Sequence, residues 1–307
     1  VRGARSDVNH PAPGLLVIGD VAWDIVLRPR GEIVRGSDVL GSVQLHPGGC
    51  AANVAVWAAR LGARVRLAGK VGDDELGKVM VGHLTREGAS EGLIVSPGAQ
   101  TTRVAVLVDG GGERAFVTDP DTRQGFRPGD CPPSRIAGLD AVLVTGYGIF
   151  ATGSASFLAD LLAEARRRGV LIAFDPSSFE FIRTYGADRL VADVGRVDVL
   201  LVNEEEAAAL RADREALADI AALVVIKMGE RGAAAFGRDV EVVVRAPPIE
   251  IVDSTGAGDA FDAAFLVEYI RSRDPARALE AGNRLGAYVT GRLGAQPAWG
   301  KGSRPVS

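Results

Sequence analysis

Cysteine is nearly missing from this sequence: Cys50 and Cys131 are the only two among 307 residues. Two thiols cannot build a disulfide framework, so the fold must hold by burial, and a reducing, cytoplasmic location is expected. No apolar run approaches the roughly 20 residues that span a bilayer, and no signal-peptide hydrophobic segment stands at the start, so no membrane contact is expected. Basic charge is not in excess either. A formal net charge of -4 gives a nucleic-acid partner no support. Lysine occurs only at Lys70, Lys78, Lys227 and Lys301, which disfavours any mechanism needing a lysine cluster. His10, His46 and His83 lie too far apart for metal-ligand spacing.

Several catalytic motifs are also missing. Gly69-Lys70 and Gly77-Lys78 are each followed by Val, so there is no G-x-x-x-x-G-K-[ST] phosphate loop. The first strand runs into Gly19-Asp20-Val21-Ala22 without a G-x-G-x-x-G turn, which demotes an NAD- or FAD-dependent oxidoreductase. No G-x-S-x-G nucleophile elbow occurs.

What is present is an ordinary globular composition, 47% hydrophobic and 24% charged, and a regular rhythm. Leu15 to Ile18, Val65 to Ala68, Ala141 to Val144, Val170 to Phe174, Val199 to Val202 and Leu223 to Ile226 read as buried strands. Helical stretches lie between them: Ala51 to Leu61, Asp74 to Glu87, Ser154 to Arg168, Glu204 to Leu210 and Arg214 to Ala221. Two long helices, Ala257 to Arg271 and Pro275 to Arg292, close the pattern, with Pro275 suited to a first helical turn. This alternation predicts a mostly parallel sheet covered on both faces. Asp24 to Leu45 and Thr101 to Thr118 break the rhythm, with strand-like composition and no helical period. They are expected to pair into a small separate β-sheet, with Asp109 to Glu113 as a hairpin turn; two surface loops are the plainer alternative. The tail from Gly300 to Ser307 is expected to be loose.

The chemistry concentrates in Asp253-Ser254-Thr255-Gly256-Ala257-Gly258-Asp259-Ala260-Phe261. Two glycines at the mouth of a helix let backbone N–H groups approach an anion, and the helix N-terminus adds donors and partial positive charge. Asp259 in the same turn can take a proton from a hydroxyl held beside that anion. A plain helix start with Asp259 as its cap would account for one Gly and one Asp, but not for the whole string. Upstream, Pro47-Gly48-Gly49-Cys50-Ala51-Ala52-Asn53 opens a helix apolar nearly all round, and Ala68-Gly69-Lys70-Val71-Gly72-Asp73-Asp74 follows it. Gly48 and Gly49 allow a small polar ligand to reach the backbone, and the Asn53 amide can bind hydroxyls.

These strings resemble the two signatures of the PfkB/ribokinase family of carbohydrate kinases, and the resemblance covers about Leu15 to Ala298. It implies a single ribokinase-like three-layer α/β domain over residues 1–307, with a small β-sheet lid from about 22–46 and 99–119. It implies transfer of the ATP γ-phosphate to an alcohol, with Asp259 as base and an anion hole at Gly256, Ala257, Gly258 and Asp259. Asp24, Gly48, Gly49 and Asn53 would hold the acceptor. The run Asn203-Glu204-Glu205-Glu206 resembles an N-x-x-E element in which Asn203 and Glu206 organise Mg2+ and its waters; by itself it would read as a solvated acidic helix start. Lys227, Gly229 and Gly232 match a nucleotide-binding loop, and Asn283 corresponds to a position near the adenine. Asp253, Thr255, Val289, Arg292, Gly294 and Ala298 match a monovalent-cation site of the kind that takes K+, although Ala298 has no hydroxyl where ribokinase places a Ser. Many members form homodimers through their lids.

The acceptor is less defined. Cys50 stands where ribokinase and kinases of phosphorylated sugars carry a Lys, which favours an unphosphorylated sugar or related polyol. Tyr147 lies where ribokinase has a Glu reaching ribose; it can cover a sugar, stack on a base, or close the sheet edge. Arg103 and Arg114 can face an acidic substrate or simply lie on the surface. The Asp175-Pro176-Ser177-Ser178 stretch lacks the Arg used by ketodeoxygluconate kinases. An adenosine-type nucleoside kinase and a non-catalytic sugar-binding relative are the alternatives, and intact Gly256, Gly258 and Asp259 weigh against the latter.

Overall fold

The computed structural model describes residues 12–109, 114–119, 125–153, 155–210 and 213–297. The chain begins with strands β1 (Gly14–Ile18), β2 (Ala22–Pro29) and β3 (Gly41–Gly48), then helix α1 (Cys50–Arg60). Next come β4 (Arg64–Ala68), β5 (Lys70–Gly72), α2 (Glu75–Arg86), β6 (Ile94–Ser96), β7 (Thr102–Val108), β8 (Arg114–Asp119) and β9 (Ala141–Thr145). The middle continues through α3 (Gly146–Thr152), α4 (Ala159–Arg168), β10 (Leu171–Asp175), α5 (Phe179–Tyr185), α6 (Ala187–Val194) and β11 (Val197–Asn203). The last part holds α7 (Glu204–Ala209), α8 (Arg214–Ile220), β12 (Ala221–Lys227), β13 (Ala233–Gly237), β14 (Glu241–Val244), α9 (Ala257–Ser272) and α10 (Pro275–Thr290).

The main sheet has the order β14-β13-β12-β11-β10-β9-β1-β4. From β12 to β4 all neighbours are parallel, and only the β12–β13 and β13–β14 pairings are antiparallel. Strands such as β1, β9 and β10 are buried along their whole length, which is why they read as continuous apolar runs. One core packs α1, α2, α9 and α10 on one face, around Val54, Met80, Phe265 and Leu266. A second packs α4, α6 and α8 on the other, around Leu161, Leu190 and Leu217.

The two irregular segments form the expected separate sheet, in the order β3-β2-β7-β8. Antiparallel β7 and β8 bring Arg103 opposite Asp119, while the turn expected between them lies outside the described residues, as do Gly300 to Ser307. Several elements have no counterpart in the expectations, the short β5–β6 pair among them. The β13–β14 pair is Ala- and Gly-rich at its start, and α3, α5 and α6 are short helices between strands. The helix expected from Ser154 becomes regular only at Ala159.

This topology brings the carboxyl ends of the parallel strands to one edge, the usual location for ligand sites in open α/β sheets. Asp20 follows β1, Thr145 ends β9, Asp175 ends β10, Asn203 ends β11 and Lys227 ends β12. The N-termini of α1 and α9 meet there.

Candidate active site

The Gly256 turn is shaped by backbone geometry. Gly256 has φ +73°, and a Cβ on it would sit 2.4 Å from the Ala295 Cβ, so glycine is required twice over. Ala257 N–H donates to the Ser254 carbonyl at 3.3 Å, closing the turn, and the next N–H groups of α9 have no intrahelical carbonyl to reach. Asp259 does not cap its own helix. Its carboxylate instead accepts from Asn53 Nδ2 at 2.8 Å and from the Cys50 thiol, both on the first turns of α1. Burial pushes the Asp259 carboxyl up to about 7, against the lowering effect of the Asn53 bond. Burial likewise raises the Cys50 thiol, with Asp259 as a further cause, so it stays protonated.

Beneath the turn lies a buried charge cluster that the sequence did not reveal. Lys227 Nζ reaches Asp175 Oδ2 at 2.8 Å and Asp262 Oδ1 at 3.1 Å. A Cβ on Gly258 would lie 3.6 Å from that ammonium, so Lys227 sits directly under the backbone of this turn. Burial opposes the charge on Asp175, yet Lys227 and hydrogen bonds hold its carboxyl below the usual range. Burial raises Asp262 well above that range, leaving it neutral against the ionised Asp175. The one signal for Asp262 was a carboxylate inside the otherwise apolar Ala260–Val267 run of α9.

On the small-sheet side, Gly48 makes room for Asp24: a Cβ there would meet Asp24 Oδ2 at 2.3 Å. Burial, then the nearby charges of Asp20, Asp259 and Asp253, raise Asp24 to about 7. Gly49, at φ +93°, brings the start of α1 against the Asp20 carbonyl. Two clefts flank this point. One, about 330 Å³ of space open to solvent, is lined by Asp20, Lys70, Thr102, Phe126 and Tyr147. The other lies between the small sheet and the main domain, lined by Asp24, Arg28, His46, Asp253 and Thr255. Tyr147 packs edge-on against Phe181 while facing the first cleft. Arg103 is not among the residues lining either cleft and pairs with Asp119 at 2.5 Å and with Gln100.

The residues expected at the nucleotide are partly engaged in local structure. Asn203 caps α7 by accepting from Glu206 N–H at 2.8 Å, and Glu206 accepts from Asn203 N–H at 2.8 Å. Burial, followed by the Asp175 charge, lifts Glu206 to about 7. No group of three or more metal-ligating side chains occurs among the described residues. Gly232, at φ +97°, packs its backbone against the Val244 carbonyl, which also accepts from Asn283 Nδ2 at 2.9 Å. Gly229 stands at φ +60° with open space beside it. At the expected cation site, Asp253 Oδ1 accepts from Thr255 N–H at 3.0 Å and its hydroxyl at 2.7 Å, and Oδ2 accepts from Gly294 N–H at 3.1 Å. The Val289 carbonyl accepts from Arg292 N–H, whose guanidinium stacks on Tyr288. Ala298 lies outside the described residues.

A glycine-shaped helix start beside a half-buried carboxylate, at the carboxyl edge of a three-layer α/β sheet, is here the setting of a phosphotransferase that acts on an alcohol. Residues 13–301 match the family described as pfkB family carbohydrate kinase, and the chain belongs to that family. It is 33% identical to the ATP-dependent ribose-1-phosphate kinase of Halopiger xanaduensis over 92% of this chain and 94% of that protein. It is 30% identical to the ribokinase of Bacillus subtilis, again over 92% and 94%. The adenosine kinase structure from Sinorhizobium meliloti superposes with a TM-score of 0.79 at 25% identity, over 94% of this chain and 96% of that one. Kinases of this family use ATP and generally Mg2+. No helix among the described residues is long and apolar enough to cross a membrane.

Proposed function

We propose that the chain transfers the γ-phosphate of ATP to a hydroxyl of an unphosphorylated sugar or related polyol, with Asp259 as the general base. The observation that carries this reading is the Asp259 carboxylate, half-buried in the Gly256–Asp259 turn, bonded to Asn53 and raised to about 7. A base poised near neutrality takes a hydroxyl proton efficiently and still ionises at working pH. The N–H groups of Gly256 to Asp259 hold the charge on the transferred group, and removing one such donor typically costs ~10²–10³ in kcat. Lys227, under Gly258, adds fixed positive charge to the same place. Asp24 and Asn53 orient the acceptor, with Gly48 and Gly49 admitting it to the backbone. Lys227, Gly229, Gly232 and Asn283 border the nucleotide. Asn203 and Glu206 would order the waters of Mg2+, which when bound neutralises phosphate charge. A K+ beside Asp253 and Thr255 would complete the anion site.

The small sheet is a lid: its Asp24, Val26 and Arg28 face looks onto the second cleft, excluding water from the transfer. Its opposite face carries Val43 and Val117, 70% and 72% exposed, and pairing of two lids would cover them. A monomer by light scattering at micromolar concentration would contradict that dimer.

A nucleoside acceptor is the second reading, favoured by the aromatic lining of the first cleft, Phe126 and Tyr147. The relative named for ribose 1-phosphate makes a phosphorylated acceptor the third arm of the test. ADP release from Mg-ATP should be followed with D-ribose, D-fructose, adenosine and ribose 1-phosphate. Turnover confined to adenosine or to the phosphosugar would overturn the preferred substrate class. No turnover with any of them, together with tight sugar binding, would overturn the kinase assignment.

A further inference from the structure

Asp259 stands at the end of a buried chain of side-chain hydrogen bonds that crosses three elements. Asn53 Nδ2 donates to Asp259 Oδ2 at 2.8 Å, and Gln296 Nε2 donates to Asn53 Oδ1 at 2.8 Å. The Gln296 Oε1 in turn meets His83 Nε2 at 2.7 Å. Asn53, Gln296 and His83 are 4%, 6% and 1% exposed, so water does not compete for the two bonds among them. Gln296 is itself fixed, because the neighbouring Ala295 carbonyl accepts from the Trp57 indole at 2.9 Å and its Cβ packs on Gly256.

The chain has one direction. Ionised Asp259 is acceptor-only, so Asn53 must present its N–H2 there and its carbonyl to Gln296. A flipped Asn53 would set carbonyl against carboxylate and N–H2 against the Gln296 N–H2, two repulsive contacts. Gln296 gives its amide hydrogens to Asn53, so its own carbonyl faces His83, and the Nε2 there has to carry the proton. Burial keeps His83 below its ordinary pKa, in the neutral form this arrangement needs.

We propose that Gln296, backed by His83, is a positioning residue for phosphoryl transfer: it locks the Asn53 amide so that its donor stays on the base. This rests on Asp259 being that base. The purpose is electrostatic as well as geometric. Asp259 faces Asp20, Asp24, Cys50, Asp175, Glu206 and Asp262, with Lys227 as the nearby cation. In that acidic surround, a fixed donor is what keeps Asp259 ionisable near neutral pH. His83 faces Glu87, Arg86 and Arg60, charges of both signs, and burial remains the main cause of its neutral form.

Two measurements test this. Long-range proton–nitrogen spectra of the 15N-labelled apo protein at pH 7, assigned by loss of signals in His83→Gln, should show His83 as the neutral Nε2–H tautomer. An Nδ1–H tautomer or an imidazolium would overturn the proposal, and this arm needs no acceptor. In kinetics with Mg-ATP and D-ribose, D-fructose or adenosine, Gln296→Leu and His83→Leu should lower kcat about 10- to 100-fold. The KM for ATP should hold, and the acid limb of kcat/KM should move to higher pH. His83→Gln, which can still present an N–H to Gln296, should retain most of the activity and the original limb. Unchanged kcat and acid limb in Gln296→Leu would overturn the positioning role. Asp259→Asn, assayed alongside, separates the two ideas: an active Asp259→Asn removes the base reading, whereas an inactive one beside a normal Gln296→Leu removes only the chain.

Discussion

Asp259→Asn should make the ligand-free protein more stable at alkaline pH, although it removes the base. Burial lifts this carboxyl from 3.8 to about 7, so the folded state holds a proton that the unfolded chain has lost. Native Asp259 therefore binds more protons than unfolded Asp259 between those values, and stability falls as pH rises through that window. At 1.36 kcal/mol per unit, the loss between pH 5 and pH 8 comes to about 2–3 kcal/mol for this group. Asparagine keeps the shape and can accept from Asn53, but carries no charge to bury. The other raised carboxyls, Asp24 and Glu206, titrate in both proteins and largely cancel in the comparison. Urea unfolding at pH 5, 6, 7 and 8, without nucleotide, reads the difference. The gap in favour of the Asn variant should widen with pH and level off above about 8. A constant gap, or a less stable Asn variant at pH 8, would refute the reasoning.

Wild-type kcat/KM should fall about tenfold per pH unit below 7, because a base raised to about 7 must be ionised to accept a proton; a flat profile from pH 5.5 to 8 would count against it. Gly48→Ala should raise the KM for the acceptor while leaving ATP affinity alone, since its Cβ would fall 2.3 Å from Asp24 Oδ2; unchanged acceptor KM would contradict the placement. Lys227→Met strands the buried, ionised Asp175 without its cation and should cost about 3–5 kcal/mol in urea unfolding, so a loss under 1 kcal/mol would show the cluster to be solvated.

Much of the architecture was legible because parallel strands buried on both faces are continuous apolar runs, as β1, β9 and β10 are. The β13–β14 pair was not, since Ala233 to Ala235 carry no β-branched side chain and its partner Glu241–Val244 is short. The turn at Gly256 and the glycine pair before α1 were legible as contiguous strings whose conformation demands particular residues. Arg103 illustrates the limit: its sequence position suggested substrate, but the β7–β8 register delivers it to Asp119. Asp175, Asp262, Gln296 and His83 form their contacts across long stretches of chain, 213 residues in the case of His83 and Gln296, and no local pattern announces them. Asn53 was legible as a polar residue in an apolar helix, but its partner Asp259 emerged only when α1 and α9 packed together.

The most direct test of the central claim is transfer of labelled γ-phosphate from Mg-ATP to the acceptor that wild type turns over, measured beside nucleotide affinity by calorimetry. Asp259→Asn should bind ATP with close to wild-type affinity and lose transfer by at least about 10²-fold. Transfer at near-normal rates in that variant would contradict the account, whatever the substrate proves to be.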